Sequence, residues 1–267
     1  LNDAVPRKVF GPKTDDLPLP AMHHFRAAAD CLPTLPFHAS LDRKVIVMSV
    51  NNSSAASRTP QRQALSPVVL QPSLSKEEIN LLPLQAWEGP VVLVQDDEAL
   101  TAALEDLWKE NVLGFDTETR PTFTKGKTCR PALIQLATAE TVYLIQLTRI
   151  AFRDDIATLL SSPRVLKVGV AIHDDMKALA RIHPFAADGV VDLAAMARAR
   201  GIQAQGLRTL SANLLGFRIS KSAQCSNWEN HELTAQQIKY AATDAWVGRE
   251  LYFHMLRQGG AQPPRPL

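Results

Sequence analysis

Three apolar segments that follow one another closely between residues 112 and 147 constrain the fold most. They read "VLGFDTE", "PALIQLAT" and "TVYLIQL", and only the dipeptide "AE" separates the last two. Short apolar runs between turn residues are typical of buried strands, and a two-residue connection predicts a hairpin. We therefore expect three consecutive, antiparallel strands within one sheet.

Further strands and helices are predicted on both sides of these three segments. "PVVLVQ" and "RVLKVGVA" have the pattern of strands. Ser75 and Glu78 stand at capping-box spacing before a short helix. Helical periodicity also appears in "DDEALTAALEDLWKE", "DDIATLLSS", "DDMKALARI", "VVDLAAMARA", "GLRTLSANLLG" and residues 232–256. Strands interleaved with helices predict an α/β domain with a mixed central sheet flanked by helices.

Residues 1–73 differ in composition from the rest of the chain. They are rich in proline and include "SVNNSSAASRTPQRQ", which is polar and has no period. Such a segment buries too little apolar surface to offset the entropy lost on ordering. We predict a disordered extension over residues 1–73 and a single folded domain over residues 74–260.

Charge and cysteine content narrow the class of protein only slightly. The net charge is +2, whereas proteins that bind long nucleic acids by counterion release usually carry a basic surplus. No apolar run is long enough for a membrane span, and no signal-peptide pattern stands at the start of the sequence. The three cysteines fit neither a disulfide framework nor a zinc site. These features favour an intracellular, cytoplasmic protein without a membrane partner.

Two acidic residues end the first of the three central strands. Asp116 and Glu118 are two positions apart, so they project from the same face of a strand. Like charges held side by side repel each other and lose hydration. We expect a cation beside them, most simply a metal ion. The alternative is a strand end that meets solvent, because so short a pattern also recurs by chance.

Two further acidic residues occur where buried elements are predicted. Asp175 follows an apolar strand in "VGVAIHDDMKAL", where it alternatively complements a helix dipole. Asp244 and Tyr240 share one helix face in "YAATDAWVGRELY", where a structural hydrogen bond is the alternative. Four carboxylates without Cys or His suit Mg²⁺ or Mn²⁺.

Basic residues are concentrated in the loop after the first acidic pair. The segment "RPTFTKGKTCR" contains no acidic residue. It is either a solvated loop or a contact for a polyanionic substrate held near the carboxylates. The candidate substrate-binding residues are Arg120, Lys125, Lys127 and Arg130.

The order and spacing of the acidic residues resemble the three exonuclease motifs of the DEDD superfamily. The first is Asp116-x-Glu118, and the second is Asp175 within Gly169 to Leu179. The third is Tyr240-x-x-x-Asp244, whose tyrosine indicates the tyrosine subclass. Residues 225–248, together with "LIQLAT" and "KVGVAI", resemble the exonuclease domain of the Werner syndrome protein, and ribonuclease D is a more distant relative. The resemblance extends over residues 90–257.

The resemblance implies a ribonuclease-H-like fold and a metal-dependent 3′–5′ exonuclease that releases 5′-mononucleotides. It implies two divalent cations, Mg²⁺ or Mn²⁺. Asp116 would contact both ions, Glu118 and Asp244 the first, and Asp175 the second. Tyr240 would orient the attacking water.

Two other functions are open from the sequence. One is a non-catalytic nucleic-acid-binding module on the same fold, and the other is an enzyme that trims short oligoribonucleotides. The choice between DNA and RNA, a protein partner and the oligomeric state are open as well. Near the motifs, Gln135 and Leu136 are expected to serve the fold, and Trp228 is expected to pack against the last helix rather than stack on a base.

Overall fold

The computed structural model describes residues 73–122 and 129–259 of the chain. The predicted extension, apart from Ser73, lies outside the described residues. Lys125, Lys127 and the predicted end of the domain at residue 260 also lie outside them. The proposed division of the chain therefore stays a prediction.

The described part of the chain alternates strands and helices. The strands are β1 (Val91–Val94), β2 (Val112–Thr119), β3 (Pro131–Ala137), β4 (Val142–Gln146), β5 (Leu166–Gly169) and β6 (Val190–Asp192). The helices are α1 (Lys76–Leu81), α2 (Asp97–Leu107), α3 (Asp154–Ser161), α4 (Ile172–Ala180), α5 (Leu193–Arg198), α6 (Leu207–Leu210) and α7 (Ala235–Gln258), with a π-helical turn at Ser211–Leu215. None of the helices in these ranges is long and apolar enough to cross a membrane.

The strands form one six-stranded sheet in the order β1-β4-β3-β2-β5-β6. β2, β3 and β4 pair antiparallel, as the sequence predicts. β1 pairs parallel with β4, and β5 lies parallel to both β2 and β6. The predicted mixed α/β architecture is confirmed.

The connection between β3 and β4 is the predicted tight hairpin. The Thr138 amide donates a hydrogen bond to the Thr141 carbonyl at 2.9 Å. The Thr138 hydroxyl oxygen accepts the amides of Thr141 and Glu140 at 2.9 and 3.2 Å. One threonine therefore holds the turn and fixes the register of the two strands.

Helices cover both faces of the sheet. On one face, Phe115 of β2 packs in a core with residues of α2, α3 and α4. On the other face, Leu133 packs with Ala241 and Ala242 of α7. Trp228 is fully buried in that second core, which confirms packing rather than base stacking. The alternation of side chains along β2 therefore directs successive residues toward α7 and toward α4.

The segment "VVDLAAMARA" is not helical throughout, contrary to the prediction. Its first three residues form β6, and Val191 pairs with Val168 of β5. α5 begins after Asp192, whose carboxylate accepts the amide of Ala195 at 2.9 Å. Local periodicity missed this strand because its pairing with β5 is a tertiary interaction.

α4 begins earlier than the acidic residues suggest. Ala171 precedes it with φ 58°, and the helix starts at Ile172. His173 is consequently an exposed residue of the first helical turn. Asp175 lies one turn into the helix, beside the end of β2.

Candidate active site

Close packing of α7 on β2 brings the first and last acidic motifs together. Gly114 lies on the same face of β2 as Asp116. A Cβ at Gly114 would overlap the carbonyl oxygen of Ala245, so only glycine lets the helix backbone come this near. Asp244 precedes Ala245 and therefore lies beside the end of β2. Its negative charge raises the pKa of Asp116.

The two carboxyls of β2 are held in conditions that oppose their ionisation. Burial is the main cause that raises the pKa of Asp116 well above its usual value, and the charges of Asp244, Asp175 and Glu118 add to it. Burial and the charge of Asp244 raise the pKa of Glu118 to about 8. Both shifts show that the ionised carboxyls are disfavoured unless a positive charge is supplied nearby.

Asp244 and Tyr240 lie together on the face of α7 that covers β2. Asp244 is 6% exposed, and burial raises its pKa to about 7. Its Oδ1 is buried and has no hydrogen-bond partner among residues 73–122 and 129–259. Burial and the charges of Asp244 and Glu118 raise the pKa of the Tyr240 hydroxyl well above 10. The phenol therefore stays protonated at any working pH.

Asp175 reaches the site from the opposite face of the sheet. Thr117 alternates with Asp116 along β2, and its hydroxyl donates a hydrogen bond to Asp175 Oδ1 at 2.6 Å. Burial raises the pKa of Asp175 to about 6, although the bond from Thr117 lowers it. Asp175 is not among the residues that line the groove beside the other three carboxylates. Thr117 had no sequence signal as a partner of Asp175.

The donor set of this site fits divalent cations. In residues 73–122 and 129–259, none of the four carboxylates forms an ion pair with a basic side chain. In the same ranges, no three Asp, Glu, His or Cys side chains already stand together as metal ligands. Asp175 is directed toward Thr117, and buried like charges separate when nothing neutralises them. Mg²⁺ or Mn²⁺ prefers hard oxygen ligands of this kind. Either ion would give the Asp244 Oδ1 atom the partner that it lacks among the described residues.

Gln135, which the sequence assigned to the fold, lies on the face of the sheet that carries the carboxylates. It pairs with Asp116 in the register of β2 and β3, so both side chains point to the same face. It is fully buried, and within the part of the chain that the structure describes neither polar atom of its amide has a hydrogen-bond partner. The amide is near enough to Glu118 to lower that carboxyl's pKa. Counting the register back from the predicted hairpin is the signal that would have identified it.

A groove of about 610 Å³ runs past the carboxylates. Asp116, Glu118, Tyr240 and Asp244 line it on the side of β2 and α7. Most of the remaining lining comes from α1, from Gly206 and α6, and from residues 219–224. The site is therefore open to an elongated ligand. Sequence reasoning missed the basic side chains among these remaining lining residues, because no local pattern connects them.

The basic loop after β2 contributes little to this groove in the described residues. The Arg120 guanidinium pairs with the Glu229 carboxylate at 3.2 Å. Arg130 is exposed, and neither arginine lines the groove. Lys125 and Lys127 lie outside the described residues. A substrate role for this loop stays a prediction.

Sequence comparison relates this chain to nucleases. A family model described as 3′–5′ exonuclease matches residues 91–259. The bifunctional 3′-5′ exonuclease/ATP-dependent helicase WRN of Mus musculus is 32% identical over 181 residues, which cover 64% of this chain and 13% of that protein. The human exonuclease mut-7 homolog is 28% identical over 213 residues, 69% of this chain and 23% of that protein. Ribonuclease D of Haemophilus influenzae is 30% identical over 175 residues, 64% of this chain and 43% of that protein.

Solved structures show the same fold. The Aedes aegypti Nibbler EXO domain matches with a TM-score of 0.60 and 27% identity, over 66% of this chain and 91% of that one. Escherichia coli ribonuclease D matches with a TM-score of 0.56 and 23% identity, over 63% of this chain and 46% of that one. The chain spans less than half the length of each of the three protein sequences compared above.

Proposed function

The chain belongs to the 3′–5′ exonuclease family of the DEDD superfamily, and we propose that it removes nucleotides from the 3′ end of a nucleic acid strand. The predicted family and the ribonuclease-H-like fold are confirmed. The observation that carries the proposal is the meeting of Asp116, Glu118 and Asp244 in one groove, with Asp175 beside them through Thr117. Degeneration to a non-catalytic module would be expected to remove one of these acids, and all four are present.

Members of this family generally use divalent metals. We propose two ions here, Mg²⁺ or Mn²⁺, held by Asp116, Glu118, Asp175 and Asp244. When bound, they supply the positive charge that offsets the phosphate and lowers the pKa of the attacking water. The four carboxylates, which repel one another without such charge, would be held in place on binding.

The chain's own residues orient the reaction. Water attacks the phosphorus that joins the last nucleotide to the rest of the strand. The bond from this phosphorus to the 3′-oxygen of the preceding nucleotide breaks, and that oxygen takes up a proton. The last nucleotide leaves as a 5′-mononucleotide. Tyr240 remains a neutral phenol, so it acts as a hydrogen-bond partner that positions the water and not as a base. Thr117 holds Asp175 through its hydrogen bond, which limits the orientations of that carboxylate, and the buried amide of Gln135 lies near Glu118.

We expect Tyr240→Phe to lower turnover on the order of 10²-fold, the usual cost of removing one positioned hydroxyl or amide donor. Metal affinity should be unchanged, because the phenol is not a ligand. Single-turnover digestion and calorimetric titration with Mn²⁺ measure the two quantities. Wild-type turnover in this variant would remove Tyr240 from the mechanism.

The raised pKa values predict how metal-free stability depends on pH. The pKa values of Asp244 and Glu118 are 3.8 and 4.5 in the unfolded chain, and burial raises them to about 7 and about 8 in the fold. The folded protein therefore binds their protons more tightly, and stability decreases as the pH rises through this window. We expect a lower Tm at about pH 8 than at about pH 5.5 in EDTA, and a larger increase with Mn²⁺ at the higher pH.

A double variant is the matched control for that melt. Asp116→Asn combined with Asp244→Asn removes two of the titrating groups, so its Tm should vary less with pH across the same window. An equal pH dependence in both proteins would assign the effect to other carboxyls.

The substrate is a separate part of the proposal. Ribonuclease D is named for action on RNA, and WRN is named as an exonuclease and a helicase. The substrate class that we propose is therefore a single strand of RNA or DNA. Trimming of short oligoribonucleotides is the second candidate. We also propose a location inside the cell.

Digestion of 3′-labelled strands tests this function. Single-stranded DNA, single-stranded RNA and recessed duplexes should each be incubated with Mg²⁺, Mn²⁺ or EDTA. We expect the first labelled product to be a 5′-mononucleotide, no product in EDTA, and no cleavage of a circular strand. Release of longer labelled fragments, or binding without any cleavage, would contradict the exonuclease assignment.

A further inference from the structure

The groove beside the carboxylates has a wall that precedes the family-matched region. Lys76, Ile79 and Asn80 of α1 line the groove, although the family match begins only at residue 91. This chain therefore lines its groove with a helix that precedes the region matched by the family model.

Hydrogen bonds hold this wall against the opposite side of the groove. The Arg208 guanidinium donates to the Asn80 side-chain oxygen at 2.7 Å. The Arg218 side chain donates to the Leu82 carbonyl at 3.0 Å, and its amide donates to the Pro83 carbonyl at 2.9 Å. Three bonds across a sequence separation of more than a hundred residues fix α1 where it stands.

Basic and acidic side chains line different parts of the groove. The basic lining residues are Lys76 of α1, Arg208 of α6 and Lys221 of the loop that follows. Among the lining residues, the only acidic ones are Asp116, Glu118 and Asp244 of the carboxylate site. Neither lysine forms an ion pair within the part of the chain that the structure describes. Both lysines are exposed and available to an anion.

We propose that Lys76, Arg208 and Lys221 bind the backbone phosphates on the 5′ side of the scissile phosphate. The inference rests on the exonuclease function proposed above. A strand whose last phosphate lies at the carboxylates continues along the groove, and ammonium and guanidinium groups are the usual phosphate contacts. The groove volume of about 610 Å³ has the size of a small-ligand pocket, which is large enough for the terminal nucleotides of a single strand.

Salt-dependent binding of a fluorescent single-stranded oligonucleotide tests the contacts. The slope of log K against log salt concentration is negative, and each lost phosphate contact reduces its magnitude by about 0.7 for a single strand. Binding is measured with Ca²⁺ present to offset the carboxylates. We expect the double variant Lys76→Ala/Lys221→Ala to bind more weakly, with a slope reduced by about 1.4.

A matched control separates these contacts from overall charge. Lys109→Ala/Arg181→Ala removes two exposed basic residues outside the groove, and it should keep the wild-type slope. A blunt duplex should compete poorly with the labelled strand. An unchanged slope in Lys76→Ala/Lys221→Ala, or an equal decrease in the control, would overturn the proposal.

A small substrate distinguishes failure of this inference from failure of the exonuclease function. The p-nitrophenyl ester of thymidine 5′-monophosphate has no upstream nucleotide, so Lys76→Ala/Lys221→Ala should hydrolyse it as the wild type does while its KM for an oligonucleotide rises. If the wild type cleaves neither substrate, the exonuclease function fails, and the salt slopes alone then decide whether the phosphate contacts exist.

Discussion

Asp116→Asn and Asp244→Asn are each expected to lower nuclease turnover by about 10³-fold or more, because each removes a carboxylate from the centre of the cation site. The loss should not come from unfolding. Asp244 is buried and Asp116 is half-buried, and the fold raises the pKa of both, so their ionised forms oppose folding at neutral pH. Asparagine keeps the shape and removes the charge.

Stability should therefore increase in these two variants while activity disappears. For Asp244, a pKa of about 7 instead of 3.8 means that the ionised carboxylate destabilises the folded state, on the order of a few kcal/mol. Asparagine relieves part of this cost. Denaturant unfolding in EDTA at neutral pH measures it. Asp97→Asn, which changes an exposed carboxylate that pairs with Arg153, is the control and should leave activity intact. A marked decrease in stability would show that Asp116 and Asp244 support the fold instead.

Gly114→Ala is expected to damage both stability and catalysis, although Gly114 carries no reactive group. Its new methyl group would meet the backbone carbonyl of Ala245, which cannot rotate away as a side chain would. Either β2 or α7 must shift, at a cost of about 3 kcal/mol or more. A displaced α7 also moves Asp244 from Asp116, and a misplacement of about 1 Å costs about 10²-fold in rate.

Chemical denaturation and activity well below the midpoint separate the two effects. The folded fraction of Gly114→Ala should remain a poor enzyme. The control for stability is Gly206→Ala, where φ is −86° and a Cβ would lie 3.5 Å from its nearest neighbour, the Thr209 hydroxyl oxygen. Wild-type stability and turnover in Gly114→Ala would show that α7 does not need this close approach.

The sequence predicted the elements whose pattern is local. Periodicity located β2, β3, β4 and the hairpin, because burial on both faces demands apolar runs and the turn lies within a few residues. The amphipathic helices α2 and α7 follow from the same reasoning. β6 escaped prediction because three residues have no period of their own and depend on β5 for pairing.

The sequence by itself determined which chemistry this chain is built for, since the acids and Tyr240 stand within short motifs whose residue types and spacing are visible without a fold. Only the tertiary structure decided what surrounds them. Gln135 comes opposite Asp116 through strand register. Lys76 joins the groove through contacts such as the one from Arg208 to Asn80, 128 residues apart in the chain. Packing between distant segments sets these positions, and no local pattern encodes the distance between two side chains that the fold alone brings together.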